Sequence, residues 1–115
     1  MAEEVTIQDF RRMDLRVGKI TEAKPVEGTD NLLKLQIDLG NTSAQAVAGL
    51  RSHYTSRELE GRQVAVITNL ESAEIHGVIS EVMILAGVVR GEHGEEQLVS
   101  ILSPDREVPP GTKIL

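Results

Sequence analysis

Leu33-Lys34-Leu35-Gln36-Ile37-Asp38-Leu39 alternates apolar and polar residues without a break. A strand turns successive side chains to opposite faces, so Leu33, Leu35, Ile37 and Leu39 line one side and Lys34, Gln36 and Asp38 the other. One dry and one wet face is the pattern of an antiparallel sheet element. Ahead of it, Glu27-Gly28-Thr29-Asp30-Asn31 is turn chemistry. Residues 15–26 read as one long strand, in which Leu15 and Val17 share a face before the apolar phase shifts across Gly18 to Ile20. A glycine at a phase shift predicts a bulge or bend there. Behind it, Gly40-Asn41 turns the chain into a third strand over residues 44–48.

The strand pattern stops between residues 51 and 61. Thr55-Ser56-Arg57-Glu58 is a capping-box signature and Gly61 a stop, which predicts a short helix. Thr6-Ile7-Gln8-Asp9 opens a similar one over residues 7–13. Residues 64–68 and 79–86 read as strands apolar on both faces, as central strands are, and residues 97–102 add a late one. Three strands, a helix and two strands is the order of an OB-fold, a five-stranded all-β barrel, although other small barrels share this count. The chain is expected to form one domain over residues 1–115, with a C-terminal extension from about residue 88.

Composition narrows the function. Zero cysteines exclude a disulfide framework and Cys-ligated zinc sites. The chain opens Met1-Ala2-Glu3-Glu4 without an apolar leader, and the stretch around residues 82–89 is too short to span a bilayer, so a cytoplasmic protein away from membranes is expected. The net charge of −6 is uneven: residues 1–62 hold nine Lys/Arg against ten Asp/Glu, residues 63–115 three against eight. A polyanion would meet the N-terminal half, although an ordinary mixed-charge surface has the same counts. Phe10 and Tyr54 are the only aromatic residues. Barrels that hold single strands stack bases on several aromatic faces. A nucleic-acid partner of this chain would be gripped through phosphates, 2′-hydroxyls and shape, which favours folded RNA.

Catalytic chemistry is thin. His53, His76 and His93 are scattered and read as surface or loop histidines rather than metal ligands. Neither G-x-x-x-x-G-K-[ST] nor G-x-G-x-x-G occurs, and Ser80 near His76 lacks the G-x-S-x-G surroundings of a nucleophile. Neither an enzyme nor a cofactor or metal site is expected.

Three ordered stretches resemble the tRNA-binding domain family, which takes in the C-terminal domain of bacterial methionyl-tRNA synthetase, free-standing tRNA-binding proteins and the CsaA chaperone-like proteins. They are Asp9-Phe10 with residues 13–20; residues 30–40 running into Val47-Ala48-Gly49-Leu50; and Asn69-Leu70 with Ile75-His76-Gly77-Val78 and Ser80-Glu81-Val82-Met83. Residues 109–114 match the family's ending. The resemblance implies an OB-fold that recognises the outer corner of L-shaped tRNA by shape, as a homodimer built partly by the C-terminal segment. A methionyl-tRNA synthetase is an implied partner, and a CsaA-like chaperone that holds unfolded polypeptides is the alternative.

Carried over position by position, the resemblance implies that Arg16, Lys19 and Lys34 contact phosphates. Ser80 would bond the RNA backbone and Met83 pack on it. Asn31 stands where the family more often has Lys, and His76 replaces a frequent Arg. Asn69 reads better as a buried side chain that satisfies a turn backbone. Ser80-Glu81-Val82-Met83 resembles the Ser-Glu-x-Met of free-standing members, or the Ser-Glu-Val-Leu of the chaperone-like branch, more than the Ser-Gln-Gly-Met of synthetase-appended domains.

Overall fold

The computed structural model describes residues 2–115. Five strands form a nearly closed antiparallel barrel in the order β3-β2-β1-β4-β7. They are β1 (Leu15–Pro25), β2 (Leu33–Asp38), β3 (Ser43–Ala48), β4 (Gln63–Ile67) and β7 (Met83–Ile84). Two hairpins stand on the barrel, β5 (Ala73–Ile75) with β6 (Val78–Ser80) and β8 (Ala86–Arg90) with β9 (Glu96–Ile101). Helix α1 (Ile7–Arg11) precedes β1, and α2 (Ser56–Leu59) lies between β3 and β4. The all-β, OB-like architecture read from the sequence is the one observed. No helix among the described residues is long and apolar enough to cross a membrane.

The alternation in β2 does what its pattern requires. Leu33, Leu35 and Ile37 are buried in the barrel, with Ile20, Val64 and Val66 around them. Each such side chain contributes about 1.5–3 kcal/mol by leaving water. Leu59 on α2 is fully buried and joins this core, and the helix carrying it is fixed by the predicted box: Thr55 Oγ1 accepts from Glu58 N–H while the Glu58 carboxylate accepts from Thr55 N–H. Helix α1 has its expected Thr6 cap but ends at Arg11, two residues early, and none of its side chains is buried.

Two expectations are corrected. The irregularity in β1 falls between Ile20 and Glu22, not at Gly18. The neighbours of Gly18 explain the glycine differently: a Cβ there would lie 2.3 Å from Ile37 Cγ2. Residues 79–86 are not one central strand apolar on both faces either. They break into β6, a buried Val82, β7 and the start of β8, with Ile79 and Met83 exposed. The break arises because Ser80 and Glu81 turn to β3 while Leu85 bonds Ala65, leaving no continuous ladder.

The C-terminal part packs into the core. Val99 and Ile101 are buried, and Ile101 N–H donates to Tyr54 Oη. The Gln63 side-chain amide holds Val108 through both of its backbone polar groups, and Lys113 bridges to Arg16. Gly111 (φ 90°) allows this approach, since a Cβ there would sit 2.2 Å from Leu39 O.

Gly18→Ala should lower stability by about 1–3 kcal/mol, the usual cost of overpacking. Chemical denaturation checks it, and an unchanged midpoint would show that Ile37 can yield.

Candidate nucleic-acid interface

The outer face of the β1–β2–β3 sheet is set by register. Lys19 stands opposite Asp38, Glu22 opposite Gln36, and Lys24 opposite Lys34. On the other side Asp38 faces Ser43, Gln36 faces Gln45, and Lys34 faces Val47. Lys19 and Lys34 therefore share this face at its two ends, four positions apart along β2, or about 13 Å. Asp38 beside Lys19 offsets that charge. Lys34 is half-buried and has no ion pair among the described residues.

Arg16 lies elsewhere. Its guanidinium forks onto Asp14 at 3.1 and 3.2 Å and donates to Gly111 O at 3.1 Å. These bonds tie the start of β1 to the C-terminal segment, and 37% of the Arg16 side chain remains exposed. Asp14 also accepts from the Thr68 hydroxyl. Asn69 Oδ1 accepts from Asp14 N–H and Nδ2 donates to Arg12 O, so Asn69 satisfies backbone, as its setting beside a turn predicts.

Asn31 is exposed at the end of the β1–β2 turn, where its Oδ1 accepts from Ser52 Oγ and its carbonyl from Arg51 N–H. Arg51 in turn donates to Thr29 O. This brings an arginine that the sequence reading left unassigned to the Lys34 end of the face.

Ser80 and Glu81 act on β3. Val47 N–H donates to Ser80 Oγ (3.1 Å), which donates to Val82 O. Glu81 N–H donates to Gln45 O, and the Glu81 carboxylate accepts from Gln45 N–H. Gln45 Nε2 reaches Ile79 O at 2.7 Å. These bonds close the barrel where no strand ladder does. Met83, 51% exposed, borders an apolar cleft of about 400 Å³ with Leu70, Ile75 and Ile84. On the far side of the β5–β6 hairpin a second cleft gathers Lys24, Lys34 and His76.

Of the six expected positions, Lys19 and Lys34 share one sheet face by register, Asn31 lies in the turn before β2 with its side chain bonded to Ser52, and Met83 borders an apolar cleft that Val47 also lines. Ser80 braces the barrel with its hydroxyl, and Arg16 sits near the C-terminal segment. Lys24 went unassigned although its partnership was legible: Lys24 and Lys34 are equidistant from Thr29, the centre of the turn. Among the described residues no group of three metal-ligating side chains converges.

Residues 15–113 match the family model described as "Putative tRNA binding domain". The chain is 48% identical over 97% of its length to a methionine–tRNA ligase of Methanopyrus kandleri and 42% identical over 98% to methionine–tRNA ligase 1 of Bacillus anthracis. It spans 16% of the length of each of those relatives. Among solved structures it resembles a MetRS-related protein from Pyrococcus horikoshii, with a TM-score of 0.86 and 27% identity over 99% of this chain and 100% of that one. The chaperone CsaA from Bacillus anthracis gives 0.84 and 32% over 98% of this chain and 100% of that one.

The bonds from Arg16 and Thr68 hold the Asp14 carboxyl below its ordinary value of 3.8. A depressed folded-state pKa contributes stability that is present above that ordinary value and lost as pH falls through the folded one. Asp14 keeps 30% of its side chain exposed, which limits the effect to about 0.5–1 kcal/mol. Asp14→Asn should remove this part of the acid sensitivity below about pH 4; equal acid unfolding of parent and variant would refute it.

Proposed function

The chain belongs to the tRNA-binding domain family, and from that membership we propose that it holds folded tRNA at its outer corner without chemistry on it. The observation that carries this reading is the family match across residues 15–113. The physical surface supports it. The face around Lys34, Lys19, Asn31 and Arg51 is polar and partly basic on a chain of net charge −6. Its two lysines lie on strands, which fixes their positions, and the face lacks the aromatic platforms that single strands need. Met83 offers apolar contact at its border, Ser80 holds that border in place, and Arg16 acts mainly through the fold. In this reading the chain assists a methionyl-tRNA synthetase by supplying tRNA-binding surface.

A homodimer fits the apolar surface at the other end of the molecule. Ile7, Phe10 and Met13 of the α1 region line a cleft with Ile114 and Leu115, and all but Ile114 are exposed. Two copies meeting here would double the tRNA face and supply affinity that one cannot. The second reading, a CsaA-like chaperone, is favoured by the likeness to CsaA and by the exposed Leu70, Ile79 and Met83.

With three or four phosphate contacts, affinity for total tRNA should fall about fiftyfold to a hundredfold between roughly 50 and 200 mM salt and exceed that for an unstructured RNA of equal length. Lys34→Glu should weaken binding by about tenfold or more with thermal stability unchanged. Equal binding of both RNAs, together with suppressed aggregation of a test substrate, would favour the chaperone. Phe10→Glu should halve the mass measured by light scattering; a parent that is already monomeric would remove the dimer.

A further inference from the structure

We propose that the cleft between the β1–β2 hairpin and the tip of the β5–β6 hairpin seats one backbone phosphodiester, held by Lys24, Lys34 and His76. This rests on the tRNA reading and names the atoms that would grip the ligand. The register puts Lys24 directly opposite Lys34 on one face, where Cβ atoms lie about 4.5–5.5 Å apart and like charges repel. Lys24 has Glu22 at 3.4 Å, an exposed pair of little strength. Lys34 has no carboxylate partner among the described residues. An anion between the two ammoniums relieves this repulsion.

His76 supplies the independent observation. It is the one non-glycine residue with positive φ (49°) among those described, and Gly77 follows at 79°. A two-residue hairpin loop with both φ positive favours Asn-Gly, and histidine is among the other residues that adopt this region. The turn places His76 beside the two lysines in the same cleft. The hairpin cannot drift away, because Gln45 and Val47 of β3 hold Ile79 and Ser80 behind it. The cleft, about 330 Å³ and open, accommodates a phosphodiester with its ribose oxygens. Glu27 is the carboxylate on its wall and works against an anion. That opposition keeps the seat weak alone and makes Glu27 a diagnostic position.

The test is nuclear magnetic resonance of the whole chain titrated with inorganic phosphate, alongside tRNA binding of three variants across salt. His76 and Lys34 resonances should shift saturably in the parent, and the Lys34 response should be lost in His76→Asn, whose Asn-Gly turn preserves the hairpin. Lys34→Gln should weaken tRNA binding about five- to tenfold near 0.1 M salt and lower the salt slope by about one. His76→Asn should cost about three- to tenfold, and Glu27→Gln should tighten binding, which misfolding does not do. If all three variants keep the parent's affinity and slope, the seat is overturned. If the parent binds no tRNA, the tRNA reading falls, and the phosphate titration alone decides the seat: saturable shifts uphold it and their absence overturns it.

Discussion

The free edge of β3 is the constraint on which the rest of the molecule turns. An edge strand presents unpaired N–H and C=O groups that must find partners or recruit another chain. Here Gln45 and Val47 are satisfied by residues 79–81, through a mixture of main-chain and side-chain bonds rather than a ladder. Each bond contributes about 0.5–1.5 kcal/mol. Together they close the barrel and at the same time dock the β5–β6 hairpin on its outer wall. Closure and placement of the hairpin beside the proposed RNA face are therefore one event.

Under the proposed function, that coupling is what lets an acidic chain offer a surface to a polyanion. The carboxylates outnumber the basic groups most heavily after residue 62. The lysines of β1 and β2 sit instead on strands whose opposite faces are buried. Their positions are fixed by the core, so few charges do the work of a larger and looser basic patch.

Much of this was legible in the chain. The strict alternation of β2 assigned its inside and outside, and the two capping signatures placed both helices because local hydrogen bonding decides such ends. Asn69 satisfies backbone groups as its setting suggested, but it is exposed rather than buried. The segment around Ser80 was not, since its apolar run looked like a central strand while long-range bonds to β3 break it. Gly18 misled for a related reason: its role is a close approach by Ile37, and contacts between strands leave no periodic mark. The grouping of Lys24, Lys34 and His76 needs both the turn register and the docking of a hairpin some forty residues later, and only the register is local.

If tRNA lies on the β1–β2–β3 face with the docked hairpin tip, cross-saturation from tRNA to the isotope-labelled chain should reach residues around Lys24, Lys34, Asn31 and His76, with the β8–β9 hairpin silent. Transfer centred on β8–β9, or on α1 and the C-terminal segment, would place tRNA elsewhere on the molecule.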